Sequence, residues 1–192
     1  MFSLFRIQEK QILFGNILLV VCCGFYFAWW LIAFKPSGTI SGMKSSWLLI
    51  PASISGLFGV VLIVQGMLTE TLVKQLFPRG YVLWGGIAVY IILLAVTVLQ
   101  LKRPATSELF LIIGWGVLAL AEINTLFGAG IFPYRLSVRF ILVISAATVI
   151  SLICYILYYR LSSFAGYIDG MIPLLLSALT TASISCFMVI LD

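Results

Sequence analysis

Apolar residues occur along this chain in six long blocks, separated by short groups rich in charge, proline or glycine. The blocks cover Gln11–Phe34, Trp47–Leu68, Tyr81–Leu101, Leu109–Ile131, Val138–Tyr159 and Gly166–Leu191. Each meets the ~20-residue length that a helix needs to cross a hydrocarbon core about 30 Å thick. Inside lipid, backbone N–H and C=O groups must find partners within their own segment, so the blocks predict helices. The expected fold is all-α: a polytopic membrane protein, a bundle of six transmembrane helices forming a single transmembrane domain over residues 1–192.

The connections carry the punctuation this requires. Lys35–Ser46 holds a proline and two glycines, and "FPRG" (Phe77–Gly80), "KRPATSE" (Lys102–Glu108) and "FPYR" (Phe132–Arg135) break later gaps. None is long enough for a soluble domain. Thr69–Phe77, "TETLVKQLF", places Leu72, Val73, Leu76 and Phe77 on one helical face. It predicts either a short interfacial helix or an extension of the second span. Gln11–Phe34 is 24 residues long. A signal-peptide core is roughly 7–15 residues, so this first block is expected to be a retained span.

Spacing also suggests an internal duplication. Spans one to three and four to six start at similar offsets, and "RGYVLWGGI" and "AGYIDGMIP" share Gly-Tyr at corresponding points. Two inverted three-helix halves would follow, an arrangement typical of transporters. The positive-inside rule gives little help with sidedness. Arg6, Lys10, Lys74, Arg79, Arg135 and Arg139 fall on the amino-terminal side, and Lys35, Lys44, Lys102, Arg103 and Arg160 on the other. The small excess places both termini in the cytoplasm.

Composition narrows the function classes. The chain is 63% hydrophobic and 9% charged, too apolar for a soluble domain of this length to bury. The net charge of +5 is distributed between the blocks rather than on one basic face, so membrane lipids are the expected partners and nucleic acid is not. There is no histidine, which removes the commonest general base and zinc ligand. Cys22, Cys23, Cys154 and Cys186 lie inside apolar blocks without a C-x-x-C pair. No catalytic residue, metal ligand or cofactor is therefore assigned. Neither asparagine forms a glycosylation sequon, which agrees with a bacterial inner membrane.

Candidate chemistry rests on polar residues inside the blocks. Glu122, in "LALAEINTLFGAG", lies about 3 Å of helical rise from the middle of a span over Leu109–Ile131. A carboxylate there costs on the order of 2.5–3.5 kcal/mol on insertion scales, so it is expected to face the protein interior. If the helix stops near Gly128, the acid moves towards the interface. Asn124 and Thr125 follow it, and Ser177, Thr181 and Ser185 repeat every four residues on the sixth span. Glu122, Asn124, Thr125, Ser177 and Thr181 form the candidate solute or ion path; interhelical hydrogen bonding is the alternative for each. Asp169 is expected to sit at the start of the sixth helix, where its dipole favours an anion.

Arg135 and Arg139, one turn apart, are candidates for an anionic headgroup or substrate, or else anchors that snorkel. Ala52, Gly56, Gly59, Ile63 and Gly66 line one face of the second span and predict close packing. Tyr26, Trp29, Trp30, Trp47, Tyr81 and Trp84 predict aromatic belts at the interfaces. Three functions fit these features. The first is a carrier or channel for a small polar or cationic solute, with Glu122 on its path. The second is a non-transporting accessory, assembly or lipid-binding component, with a membrane-protein partner or as a homo-oligomer. The third is an intramembrane enzyme acting on lipid.

Overall fold

The computed structural model describes residues 7–34, 45–69, 73–99, 107–158 and 160–191. Among these the secondary structure is entirely helical: α1 Ile7–Ala33, a 3-10 turn Ser45–Leu48, α2 Leu49–Thr69, α3 Arg79–Leu99, α4 Ser107–Gly128, α5 Tyr134–Tyr158, α6 Ser163–Asp169 and α7 Met171–Leu191. Six spans are long and apolar enough to cross a membrane, the sixth combining α6 and α7 as Phe164–Leu191. Large apolar side chains such as Leu57, Trp84, Leu142 and Ile190 stand exposed along them. In water such a surface would drive aggregation; lipid is its natural solvent. The chain is a multi-pass integral membrane protein, in contact with lipid.

Contacts divide it into two compact units, Met1–Glu70 with Ile156–Asp192, and Thr71–Tyr155. The first holds α1, α2, α6 and α7; the second holds α3, α4 and most of α5. The anticipated halves, spans one to three and four to six, are therefore not the compact units.

In the first unit, α1 packs on α2 through glycines. A Cβ on Gly15 would stand 2.7 Å from the Gly59 carbonyl oxygen, and one on Gly66 would stand 2.9 Å from that of Gln8. Backbones approach this closely only where neither side contributes a side chain. The groove expected on the second span is real, and Ala52, Gly59, Ile63 and Gly66 are buried along it. Its complement on α1, Gly15, carried no periodic signal.

Trp30 is the second anchor of this unit. It is buried, its Nε1 donates to the Tyr167 carbonyl at 3.1 Å, and its ring stacks on Phe34 at 4.4 Å. Its indole also lies against Gly170, where any Cβ would collide with it. An interfacial belt was expected here; Trp30 instead joins α1 to the α6–α7 junction, whereas Trp47, Tyr81 and Trp84 are exposed.

The α6–α7 break has a local cause. Pro173 lacks the N–H that would bond the Asp169 carbonyl, and its ring would crowd that oxygen. Gly170 turns the chain there while keeping an α-region backbone, φ −66° and ψ −17°. The sixth span accordingly starts near Ser163, not Gly166, and Asp169 lies six residues inside it. Asp169 is buried at the carboxyl end of α6, so it does not cap the start of the span as anticipated.

In the second unit, residues 73–78 are non-helical. Neither the interfacial helix nor the extension of α2 forms over them, because α2 stops at Thr69 and Pro78 precedes α3. Residues 70–72 of that stretch lie outside the described residues. So do Arg6, Lys35, Lys44, Lys102 and Arg103, on which the sidedness count drew. The α4–α5 turn is closed by glycine. Ile131 N–H bonds the Leu126 carbonyl and Gly130 N–H the Phe127 carbonyl, both at 3.0 Å, with Gly130 at φ +80°. This left-handed closure satisfies the last carbonyls and ends α4 before Ile131. Pro133 then opens α5, its carbonyl accepting from the Leu136 and Ser137 N–H groups at 3.0 Å each.

Candidate functional site

The end of α4 at Gly128 relocates its acid. With 22 residues, α4 is about 33 Å long. Its middle falls between Val117 and Leu118, so Glu122 stands about 7 Å past the centre. This is further from mid-span than the 3 Å expected, and closer to the headgroups. Glu122 is nonetheless only 2% exposed, and the five consecutive residues Glu122–Leu126 are all buried. Burial on every side means that this stretch of α4 shows no face to lipid.

Asn124 explains part of that burial. Its Oδ1 accepts the Leu76 N–H at 2.9 Å and the Phe77 N–H at 3.4 Å, and its Nδ2 donates to the Phe77 carbonyl at 2.6 Å. Two donors and one acceptor from the loop meet the complementary amide, which fixes its orientation. The loop before α3 has no helical bonds of its own, so a side chain 47 residues away supplies them. Thr125 takes a second tie. Its Oγ1 donates to the Ala121 carbonyl at 2.9 Å, and Arg79 Nη2 lies 3.5 Å from the same oxygen. Arg79, half-buried at the start of α3, thus brings a guanidinium to the face of α4 that carries Glu122 one turn earlier.

The remaining path candidates, Ser177 and Thr181, belong to the first unit. Ser177 Oγ donates to the Leu174 carbonyl at 3.1 Å and lies 3.8 Å from Cys23 Sγ on α1. Thr181 is buried, and its carbonyl accepts from Ser185 Oγ at 3.0 Å. Thr148 and Ser183 likewise bond carbonyls four residues back in their own helices, at 2.8 and 2.7 Å. In lipid, such back-bonding is the cheapest way to satisfy a hydroxyl. Arg135 and Arg139 are exposed at the start of α5, in its first two turns because the helix begins at Tyr134.

Sequence reasoning set two groups too near the helix ends, reading Asp169 as a cap and leaving Asn16 between a bond to another helix and the headgroups. Asp169 is a second buried carboxylate, 8% exposed; Asn16, in α1, is 1% exposed. Each lay near an expected helix start, and only a boundary closer to the truth would have moved it inward. Arg79 was counted for sidedness alone; its place immediately after Pro78 was the signal that it opens a helix. Among the described residues, no three of the His, Cys, Asp and Glu side chains come together as a metal site. The four cysteines are free thiols.

The arrangement defines a class, a six-span membrane protein with a buried acid and an amide-stapled loop. No family model, curated protein or solved structure matches the chain.

Proposed function

We propose that this protein is a non-transporting membrane component, an accessory or assembly element that works by binding its neighbours in the bilayer. The observation that carries this reading is the Asn124 staple. The most polar side chain beside Glu122 has its amide committed to the backbone of residues 76 and 77. The hydroxyls of Thr125, Thr148, Ser177, Ser183 and Ser185 are committed to helix carbonyls in the same way. A solute path needs polar groups that can exchange their partners with a passing ion or water. These groups would have to break structural bonds to do so.

The carrier reading retains one support, the burial of Glu122, since intramembrane carboxylates often mark ion paths. Reconstitution separates the two. Purified protein in liposomes is expected to move protons, sodium and potassium no faster than empty liposomes, and Glu122→Gln is expected to change nothing. Proton or cation flux above the empty-liposome rate, abolished by Glu122→Gln in a variant that still elutes as a folded species, would establish the carrier.

A further inference from the structure

The unit Thr71–Tyr155 holds a groove of about 310 Å³ between α3, α4 and α5, with Gly85, Val89, Val117, Ser145, Val149 and Leu152 among its walls. It exists because α3 is attached along a single stripe. Val82, Gly86 and Tyr90 are half-buried, while Tyr81, Gly85 and Val89 are exposed. Gly86 lets α3 settle against the Val117 side chain, and Gly85 leaves the adjoining wall empty: a Cβ there would meet nothing within 4 Å. The lining is almost wholly hydrocarbon, with Tyr81, Ser145 and Thr148 as the hydroxyl-bearing exceptions, and Thr148 bonds its own helix.

One end of the same unit is cationic. Where α3 and α5 begin and α4 stops, the described residues include Lys74, Arg79, Arg135 and Arg139, and Glu122, six residues before the end of α4, is buried. The groove starts beside this end. Tyr81 is two residues past Arg79 and Val89 ten, about 3 and 15 Å of rise. One leaflet of the hydrocarbon core is about 15 Å deep. The groove therefore occupies the depth of one acyl chain hung from the level of Arg79. Arg135 stands about a quarter-turn around α5 from the groove wall and ten residues, about 15 Å of rise, before Ser145, where that wall begins on α5, so it is placed to meet a headgroup and not a tail. Arg139 lies further round the helix.

We infer that this unit binds an anionic phospholipid, its headgroup held by Arg135 with Arg79 and Arg139 and one acyl chain lying in the α3–α4–α5 groove. The cationic rim selects the charge: a zwitterionic headgroup gains little there, whereas each Lys or Arg strengthens binding of an anionic one about fivefold. The apolar wall selects the tail. A soluble anion would be held by the rim alone and would have no use for the groove.

The test is lipid retention. Full-length protein is reconstituted into nanodiscs of phosphatidylcholine with a minor share of phosphatidylglycerol, then released into mild detergent and weighed by native mass spectrometry. Phosphatidylglycerol is expected to remain bound in excess of its share. Arg135→Gln with Arg139→Gln should lower its retention at least about tenfold, and raised salt should mimic them, since exposed charges are screened. Gly85→Leu, which adds a side chain at a groove wall where a Cβ meets nothing within 4 Å, should lower retention while leaving the rim intact.

Equal retention of both lipids, or no response to the arginine variants and to salt, would overturn the site. Retention unchanged in Gly85→Leu would overturn the placement of the chain, as would a dimer mass lost in that variant, which would put a second copy in the groove. Solute flux with lipid retention intact would sink the non-transporting reading and leave this site standing.

Discussion

Removing the Asn124 amide tests how the second unit is held together. Asn124→Ala deletes the acceptor of the Leu76 N–H at 2.9 Å, the weaker one of the Phe77 N–H at 3.4 Å, and the donor to the Phe77 carbonyl at 2.6 Å. A buried polar group left unmet costs about 1–3 kcal/mol. Leu76 and Phe77 are half-exposed, so water recovers part of this and each short bond belongs at the low end. The total expected is about 2–4 kcal/mol, concentrated in the loop before α3. Asn124→Asp should fall in the same range by another route, because an acid oxygen would replace the amide donor facing the Phe77 carbonyl. Hydrogen exchange by mass spectrometry in detergent reads the local effect: peptides containing Leu76 and Phe77 should exchange at least about 30-fold faster, the factor corresponding to 2 kcal/mol. Thermal unfolding of the same samples reads the global one. An alanine variant that matches the native protein in both, within about 0.5 kcal/mol, would show that the staple holds nothing.

Two further substitutions probe the first unit. Gly15→Ala places a methyl 2.7 Å from the Gly59 carbonyl, and overpacking of this kind costs about 1–3 kcal/mol; a lower melting temperature in detergent is expected, and an unchanged one would mean that α1 and α2 can slide apart freely. Gly170→Ala forces the Trp30 indole from its seat and from the Tyr167 carbonyl. Tryptophan emission should shift relative to the native protein and to a control variant at Gly24, where a Cβ meets nothing within 4 Å, and emission identical to both would contradict the packing.

The spans were legible because lipid imposes one rule on every residue of a block, and block length follows from bilayer thickness. The small-residue face of α2 was legible for a similar reason: Ala52, Gly59, Ile63 and Gly66 repeat with the helix, so periodicity exposes them. The ends were less so. α4 stops where Gly130 adopts a positive φ, and α5 starts at once after Pro133, but apolar residues run through both points and hide them. Pairings were illegible altogether. Nothing near Asn124 announces that its partner is the backbone of residue 77, and nothing near Trp30 announces Gly170, because backbone groups and absent side chains leave no trace in residue type. The hydrophobic face of "TETLVKQLF" misled for the complementary reason: a helical pattern of four residues is outweighed by one tertiary hydrogen-bond set and a following proline.

The buried acids bear most directly on function. Glu122 lies six residues before the end of α4, and Asp169 is the last residue of α6. Asp169 therefore sits at a carboxyl terminus, where the helix dipole opposes a negative charge, and Glu122 lies before the last turn, where that field has faded. Neither position is explained by the backbone field, so the compensation must come from side chains. On the α4 face that carries Glu122, the Arg79 guanidinium lies 3.5 Å from Thr125 Oγ1, one turn along. A coupling carboxylate must take up and release its proton or cation as the protein turns over. The polar groups that follow it on α4 offer no such exchange, because the Asn124 amide is bonded to the backbone of residues 76 and 77 and the Thr125 hydroxyl to the Ala121 carbonyl. Those bonds, with Arg79 on Thr125, hold the start of α3 against the end of α4. They also keep in register α3 and α4, two of the three helices that form the groove.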